Sequence, residues 1–161
     1  LRLAQPTAAM AASGPRYRPT LVKGVRDSAS GVAAIRKARK LPPVEARTEY
    51  WDEIIGAMEG VMSDPKGTAR FAARGAPWRI AGKSGTAQVF SVGQDESYNE
   101  EEIAERMRDH ALFIAFAPVE DPRIAIAVIV ENGGSGSGVA APIARKVLDN
   151  YLTEAEMGAS L

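Results

Sequence analysis

The sequence predicts a mixed α/β domain in which helices flank an antiparallel sheet, and three patterns carry this prediction. Apolar residues recur every three or four positions over 49–62 and again over 139–152, as on helices that bury one face. Two apolar runs, 111–117 and 124–130, are joined by a short link that contains Asp121-Pro122, which is typical of a β-hairpin. Because both runs are apolar nearly throughout, we expect both strands to lie centrally in the sheet with both faces covered.

The two long helices carry their own start and stop signals. Thr48 is expected to cap the helix over 49–62, whose first turns are acidic, as the helix dipole favours. The closing helix over 139–152 follows a Gly/Ser hinge at 133–138, and the tail from 153 to 161 is expected to fray. The expected apolar faces consist of Trp51, Ile54, Ile55, Met58, Val61 and Met62 in the first helix and of Ile143, Val147, Leu148, Tyr151 and Leu152 in the second.

The N-terminal third has a less regular pattern. Residues 1–13 are rich in Ala and end before a Gly-Pro pair, which predicts a helix that Pro6 should kink unless the helix starts close to it. Residues 18–22 are compatible with a short edge strand. The apolar periodicity then disappears over 26–47, which we interpret as a solvated and mobile connection; the alternative is a basic docking site at 36–40. Two further helices are predicted, a short one at 68–74 and a charged one from Asn99, with Glu102 in its capping box, to about Asp109.

Composition excludes several classes of function. Twenty basic and twenty acidic residues cancel, so no overall field favours nucleic acid or an anionic membrane. The absence of Cys excludes disulfides, Cys-ligated metals and thiol catalysis, and it is compatible with an oxidising or a reducing compartment. No apolar run reaches membrane-spanning length, and the first residues lack the pattern of a signal peptide. With 161 residues the chain has the size of one globular domain.

The stretch 79–90 holds the strongest functional signal. Lys83, Ser84 and Thr86 offer a positive charge and two hydroxyl donors that suit a carboxylate, and two neighbouring glycines permit the close approach of another backbone. Strand-forming apolar residues flank them, so we interpret 79–90 as the central sheet strand that lines a substrate groove. A turn between two short strands is the alternative. A phosphate loop is excluded because Pro77 stands where that motif needs its first Gly.

The same stretch resembles a known family. Lys83-Ser84-Gly85-Thr86 is similar to the Lys-Thr/Ser-Gly motif of penicillin-binding proteins and serine β-lactamases, the third of that superfamily's three catalytic motifs. The surrounding sequence resembles class B penicillin-binding proteins, the peptidoglycan D,D-transpeptidases, and among them those of cell elongation. The resemblance covers nearly the whole chain apart from 26–47 and the tail. Its further matches are Ala81-Gly82, Ala87-Gln88-Val89, Gly67-Thr68-Ala69, His110-Ala111-Leu112-Phe113, Phe116-Ala117-Pro118, Glu131-Asn132-Gly133-Gly134 and the segment from Tyr98-Asn99 to Asp109-His110.

The resemblance implies a fold and a chemistry. Residues 1–161 would form the C-terminal part of a β-lactamase/transpeptidase-like domain, which cross-links D-Ala-D-Ala stem peptides through a Ser acyl-enzyme and binds β-lactams covalently. Lys83 would assist proton transfer electrostatically, and the hydroxyls of Ser84 and Thr86 would hold the carboxylate of the stem peptide or β-lactam. The backbone N–H of Thr86 would be one of two oxyanion-hole donors. The implied substrate-binding set is completed by Gly85, Ala87 and Gln88.

The resemblance also implies the surroundings of the protein. The expected partners are the peptidoglycan stem peptide, β-lactam antibiotics, the missing N-terminal part of the same protein and membrane proteins of an elongation complex, but no nucleic acid. The expected location is the periplasmic face of the bacterial inner membrane, with the anchor outside this chain. No metal or organic cofactor is expected in this segment.

The nucleophile of the family is not expected within this chain. Two short matches exist, Ser63-Asp64-Pro65-Lys66 for the Ser-x-x-Lys motif and Ser97-Tyr98-Asn99 for the Ser-x-Asn motif. We reject the first because it lies only twenty residues before Lys83 and has Pro in the turn that must align Ser with Lys. We reject the second because it follows Lys83, against the order of the family. The attacking Ser and its Lys are therefore expected outside 1–161, and the segment alone is expected to be inactive.

Other polar residues are assigned to structure, and other functions stay open. His110 is expected to be a structural residue at the start of a strand, because no second His or Cys lies near it to share a metal. Asp109 with Glu105 or Glu131 could form a carboxylate pair, but charged strand ends explain these residues more simply. The alternatives for function are a D,D-carboxypeptidase or β-lactamase-like hydrolase of the same fold, and a non-catalytic peptide-binding module.

Overall fold

A three-stranded antiparallel sheet lies at the centre of the structure, a computed structural model that describes residues 1–89 and 108–159. Apolar side chains from the helices pack on both faces of this sheet. The helices are α1 (Ala4–Ala11), α2 (Thr48–Ser63), α3 (Arg70–Ala73) and α4 (Ala141–Ala159), and the strands are β1 (Arg16–Tyr17), β2 (Gly24–Arg26), β3 (Ala33–Ile35), β4 (Lys40–Leu41), β5 (Ala81–Ala87), β6 (His110–Ala117) and β7 (Ile124–Val130). The predicted mixed α/β class with an antiparallel sheet is confirmed.

The strand order in the sheet is β5-β6-β7, so β6 is the central strand. The β6–β7 pair confirms the predicted hairpin, with Phe113 opposite Val128. The prediction that the sheet is centred on 79–90 is wrong, since β5 pairs only with β6 among the described strands. The expected cover on both faces holds for most of β6 but not for β7, where Ile129 is 56% exposed. An apolar run thus forms the central strand β6 and also the edge strand β7, so composition alone does not distinguish a central strand from an edge strand.

β5 is shorter than the predicted strand over 79–90. It begins at Ala81, and residue 90 lies outside the described residues. In the register of the β5–β6 pair, Arg79 would face Pro118, which has no N–H to donate. The carbonyl of Arg79 instead accepts the N–H of Val119 at 3.0 Å, so the regular ladder stops before Arg79.

Each face of the sheet has its own apolar cluster. On one face, Phe113 of β6 packs in a cluster with Leu148 of α4 and Met62 at the end of α2. On the other face, Phe116 packs with Met58 of α2, and residues of α1 lie at the margin of that cluster. Because α2 contributes a buried methionine to both clusters, it fixes the start of β5 relative to β6.

α2 confirms the predicted helix over 49–62 and much of its buried face. Trp51 and Met58 are buried, whereas Ile54 is 44% exposed, against the prediction. The predicted N-cap is also wrong: Arg47 has the extended backbone of an N-cap, with ψ of 148°, and Thr48 is already helical. No side-chain hydrogen bond caps this end of the helix. Packing of the apolar face, rather than a cap, therefore stabilises α2.

The two shorter helices lie where the sequence predicts them, but each is shorter than predicted. α1 occupies only 4–11 of the predicted 1–13, and Pro6 lies in its first turn, where the missing N–H breaks few helical bonds. α3 occupies the middle of the predicted helix at 68–74. The helix predicted from Asn99 starts outside the described residues.

α4 is longer than predicted and buries a different stripe. It runs to Ala159, so the residues from 153 to 159 that were expected to fray are helical. Ile143, Val147 and Tyr151 are 42%, 45% and 47% exposed, contrary to the predicted face. The buried positions of α4 and the turn before it are Ala140, Ala141, Ala144, Leu148 and Leu152. The small alanine side chains allow the helix to lie close to β6. The prediction failed because it selected the buried face from the large apolar residues alone. No helix in the described part of the chain combines the length and the apolar character needed to cross a bilayer.

The segment between α1 and α2 contains two strand pairs rather than a bare connection. β1 pairs with β4, and β2 pairs with β3, both antiparallel. The edge strand predicted at 18–22 is wrong, because the strand lies at 16–17. In the β2–β3 turn, the Asp27 carboxylate accepts the N–H groups of Ala29 and Ser30 at 3.0 and 2.6 Å. Such local bonds hold the hairpin without a core. Residues 26–47 are exposed apart from the half-buried Leu41, while the mobility of this connection stays a prediction.

The Gly/Ser segment after β7 packs tightly against the sheet. A π-helical turn over Gly136–Ala140 leads from this segment into α4. A Cβ atom at Gly136 would lie 2.4 Å from the carbonyl oxygen of Gly85 and 2.5 Å from that of Leu112. Only Gly permits this approach, so part of the predicted hinge at 133–138 is a packed junction between the sheet and α4.

Replacement of Gly136 tests this junction. We expect Gly136→Ala to lower the free energy of unfolding by about 1–3 kcal/mol, because the added methyl group would overlap two carbonyl oxygens. Gly56→Ala is the matched control: nothing lies within 4 Å of a Cβ there, and the change should raise the free energy of unfolding by up to about 1 kcal/mol. Urea denaturation followed by circular dichroism measures both. A Gly136→Ala chain as stable as the parent would contradict the packing described.

Candidate functional site

The residues predicted to bind substrate lie together on β5 and just beyond its end. Lys83, Thr86 and Gln88 are exposed, as is Ala87, while Ser84 and its neighbour Gly85 are half-buried. β5 pairs with β6 on one side and with no other described strand, so its second edge is open. An open edge offers unpaired backbone groups to an extended peptide.

The two-residue period of the strand divides the side chains between two faces. Ser84 lies opposite Phe113 and Thr86 opposite Ala111, on the face that α4 covers. Lys83 belongs to the other face, and its Nζ donates a hydrogen bond to the carbonyl oxygen of Ser84 at 2.7 Å. The two hydroxyls can therefore contact one ligand group, while the ammonium group is held against the backbone of the same strand.

A third hydroxyl, from outside the strand, contacts Ser84. Thr68 Oγ1 lies 3.4 Å from Ser84 Oγ. The next N–H, of Ala69, donates to the carbonyl oxygen of Val61 at 3.0 Å, and a Cβ at Gly67 would lie 2.6 Å from that same oxygen. The close packing of this turn on the end of α2 fixes the position of Thr68. The sequence predicts a short helix at 68–74 and a family resemblance at 67–69, but no periodic pattern links Thr68 to a strand residue sixteen positions away.

Arg79 joins α2 to the β6–β7 turn just before β5 begins. Its guanidinium donates to Glu59 (Nη2 to Oε2, 2.5 Å) and to Glu120 (Nη1 to Oε1, 2.7 Å). The hydrogen bonds with Glu59 and then Glu120 raise the pKa of Arg79. A hydrogen bond from its own backbone N–H, and then the Arg79 guanidinium, lower the pKa of Glu120. Because Arg79 and Glu120 are exposed, these ion pairs orient the start of β5 more than they stabilise it.

The far end of β5 is held by Asp109. Its buried carboxylate accepts the N–H of Val89 at 3.2 Å, and its carbonyl accepts the N–H of Gly134 at 2.8 Å. His110, the first residue of β6, accepts the N–H of Asn132 at its Nδ1 atom, at 2.9 Å. The predicted structural role of His110 at a strand start is confirmed, and Asp109 acts at a strand end as well. Of its two suggested carboxylate partners, Glu131 is exposed and Glu105 lies outside the described residues.

Partly buried hydrogen bonds to α4 hold the segment between α3 and β5 in place. Trp78 Nε1 donates to Asp149 of α4 at 3.0 Å, and Arg145 Nε donates to the same carboxylate at 2.8 Å. Arg145 also donates to the carbonyl oxygen of Ala72 at 3.0 Å. The segment that carries Thr68 and leads into β5 is thereby attached to α4 as well as to α2.

The two rejected motif matches do not form a reactive pair in the described residues. Ser63 is the last residue of α2, and its hydroxyl donates to the carbonyl oxygen of Glu59 at 3.0 Å. Asp64 has an extended backbone, with ψ of 142°, so Ser63 and Lys66 do not share a helical turn. The match at 97–99 lies outside the described residues. Within 1–89 and 108–159, no group of three or more His, Asp or Glu side chains is arranged to hold a metal ion.

Comparison with known proteins decides the family. Residues 1–149 match the family model of the penicillin-binding protein transpeptidase domain. The chain belongs to this family. Among curated relatives, the peptidoglycan D,D-transpeptidase MrdA of Haemophilus influenzae is 36% identical over 155 residues, which are 96% of this chain and 24% of that protein. MrdA of Escherichia coli strain K12 is 46% identical over 112 residues, which are 69% of this chain and 18% of that protein. The chain thus spans about a fifth of the length of these relatives.

Solved structures of the family have the same fold. Pseudomonas aeruginosa PBP2 in complex with WCK 5153 has a TM-score of 0.71 and 39% identity, over 92% of this chain and 28% of that chain. The imipenem acyl-enzyme complex of penicillin-binding protein A from M. tuberculosis has a TM-score of 0.69 and 27% identity, over 92% and 29%. The complex between PBP2 and MreC from Helicobacter pylori has a TM-score of 0.57 and 28% identity, over 78% and 22%. The predicted resemblance to class B penicillin-binding protein 2 and the β-lactamase/transpeptidase-like fold are confirmed.

Removal of the Asp109 carboxylate tests how the far end of β5 is held. We expect the amide hydrogen of Val89 to exchange at least about tenfold faster in Asp109→Ala, because loss of a buried acceptor costs about 1–3 kcal/mol. Asp121→Ala, in the exposed β6–β7 turn, is the matched control and should leave this exchange rate unchanged. Equal protection of Val89 in the two variants would contradict the assignment.

Proposed function

We propose that this chain is the substrate-binding part of a peptidoglycan D,D-transpeptidase that cross-links D-Ala-D-Ala stem peptides. The observation that carries the proposal is β5, an edge strand that presents Lys83, Ser84 and Thr86 in a chain of the penicillin-binding transpeptidase family. An edge strand takes up an extended peptide through backbone hydrogen bonds, while its side chains select the terminal group. A C-terminal carboxylate suits the hydroxyls and the ammonium group that this strand offers.

Each group on the strand has a separate task in this proposal. The hydroxyls of Ser84 and Thr86, which share a face, donate to the carboxylate of the stem peptide or of a β-lactam. The Lys83 ammonium adds positive charge that favours the same anion and supports proton transfer. The backbone N–H of Thr86 donates to the oxyanion that forms when the scissile carbonyl is attacked. Gly85, small and half-buried, leaves room for the peptide backbone beside the strand.

The attacking group comes from polypeptide outside 1–161. In this proposal a Ser oxygen from a Ser-x-x-Lys segment attacks the penultimate D-Ala carbonyl, and the Lys of that segment takes its proton. The terminal D-Ala leaves, and an amine of a second stem peptide then takes the acyl group from the Ser. If water took the place of that amine, the same strand would serve a D,D-carboxypeptidase. No metal or organic cofactor enters these steps.

The part of the sheet that the described residues leave uncovered supports the placement of the Ser-x-x-Lys segment. On the face opposite α4, Leu112 is half-buried and its neighbour across the hairpin, Ile129, is 56% exposed. Both lie beyond the cluster that α1 and α2 form around Phe116. Apolar side chains next to Lys83 on this face would be covered by the N-terminal part of the domain, which brings the nucleophile to β5.

The relatives support a location and protein partners for the intact protein. We place the intact protein on the periplasmic face of the bacterial inner membrane, with its anchor in the polypeptide outside this chain. β-Lactams are proposed as covalent ligands of that protein, as in the imipenem acyl-enzyme of the M. tuberculosis relative. A membrane protein of the elongation complex is proposed as a partner, and the complex of the H. pylori relative with MreC supports binding of a second protein.

Fluorescent penicillin tests where the nucleophile lies. We expect no covalent labelling of the 161-residue chain, but labelling once residues 1–161 are joined to the N-terminal part that carries Ser-x-x-Lys. Gel fluorescence after denaturation measures the label. Ser63→Ala in the joined protein should be labelled as fast as the unmodified protein, because the Ser63 hydroxyl is bonded within α2. Labelling of the isolated chain that Ser63→Ala abolishes would overturn the proposal.

The acylation rate of the joined protein tests the hydroxyl contacts. Ser84→Ala should lower the rate constant for acylation by a β-lactam about tenfold to hundredfold, as for the loss of one hydrogen bond to a charged group. Thr68→Val should give a smaller decrease, and Thr68→Ser should restore the rate, since only the hydroxyl contacts Ser84. Thr48→Val, in the exposed first turn of α2, is the control. An unchanged rate in Ser84→Ala, or Thr68→Ser as slow as Thr68→Val, would refute these roles.

A further inference from the structure

The charge of this neutral chain is strongly segregated. Residues 16–47, which we call the basic arm, contain nine of its twenty Lys and Arg residues and two of its twenty Asp and Glu residues. The arm therefore carries a net charge of +7, and the remainder of the chain carries −7. The net charge of zero therefore conceals a positive electrostatic field around residues 16–47.

The fold of the basic arm gathers part of this charge into one cleft. The N–H of Arg18 donates to the carbonyl oxygen of Arg39, and the N–H of Arg36 donates to that of Lys23, both at 2.9 Å. These bonds bring the chain after β1 alongside the chain before β4. An open cleft of about 450 Å³ lies between the two stretches, and its lining consists of Arg18, Pro19, Thr20, Arg36, Lys37, Ala38 and Arg39.

The cations of this cleft lack protein counter-charges in the described residues. The ion pairs found among the described residues involve Arg79 and Arg145, both outside the basic arm. Of the arm's two carboxylates, Asp27 is bonded within its own turn: the N–H and hydroxyl of Ser30, and then the N–H of Ala29, lower its pKa. Four like charges on one cleft repel each other within a Debye length, so an anion that enters the cleft is stabilised by all of them.

We propose that this cleft binds a carboxylate-bearing peptide of the cell-wall polymer. Three of its four cations are guanidinium groups, whose planar forks match carboxylates in two-bonded geometry. The choice of a cell-wall peptide rests on the proposed function, which brings the protein to a polymer of such peptides. The cleft shares no residue with β5, so it provides a second point of attachment on the same polymer.

The test measures binding of soluble muropeptide strands to the 161-residue chain. The triple variant Arg18→Gln/Arg36→Gln/Arg39→Gln removes three cleft charges, and its matched control, Arg2→Gln/Lys66→Gln/Arg123→Gln, removes three exposed charges from outside the arm. Isothermal titration should show affinity about tenfold lower for the cleft variant and within about twofold of the parent for the control. The single variant Arg36→Gln, expected to lose about two- to threefold, decides the question if the triple variant does not fold.

Muropeptide strands with their carboxylates converted to methylamides identify the anion that is bound. The parent and the cleft variant should bind the methylamide muropeptides with equal affinity. Any contribution of β5 cancels in this comparison, because β5 is the same in both chains. Equal losses in the cleft variant and its control, or a tenfold difference that persists on methylamide strands, would overturn the proposal. So would phosphatidylglycerol vesicles that bind the parent as tightly as the strands do and lose binding with the same variant. Penicillin labelling of the joined protein reports on β5 separately and should be unchanged in the cleft variant.

Discussion

The position of β5 at the edge of the sheet is the constraint on which the rest of the structure depends. β6 pairs with β5 along seven residues, which fixes one edge of the strand and leaves its second edge open in the described part of the chain. This pairing requires small residues where the elements meet. Gly136 lies against the carbonyl oxygens of Gly85 and Leu112, and a Cβ at Gly82 would lie 2.6 Å from the ring of Phe113. The strand that offers the polar groups thus also packs closely against its neighbours.

Contacts at both ends and on one side hold this edge strand in place before any ligand arrives. Arg79 connects its start to α2 and to the β6–β7 turn, and Asp109 accepts the N–H of Val89 beyond its end. Thr68 reaches the middle of the strand, where it contacts Ser84. Hydrogen-bond donors that are already oriented cost no reorganisation when charge develops in a transition state. We therefore regard the packing around β5 as part of the proposed chemistry and not only as support for the fold.

The sequence predicted those parts of the fold that one hydrophobic periodicity or one short motif determines. α2 and the β6–β7 hairpin follow from apolar periodicity, and β5 follows from a polar motif between strand formers. The sequence did not predict the stripe of small residues on α4, because Ala144 is fully buried whereas larger apolar residues of the same helix stay exposed. It did not predict that β5 is an edge strand among the described strands, since the composition of one strand does not reveal its pairing partners. The contact of Thr68 with Ser84 was missed for the same reason: it depends on tertiary packing at the end of α2.

The central claim is that β5 holds the carboxylate of a cell-wall peptide while the nucleophile comes from polypeptide outside 1–161. A crystal structure of the joined protein acylated by a β-lactam measures this most directly. The account predicts that the drug's carboxylate lies within about 3 Å of the hydroxyl oxygens of Ser84 and Thr86, and that its carbonyl oxygen accepts the N–H of Thr86. A drug bonded to a side chain within 1–161, or one whose carboxylate lies away from β5, would contradict it.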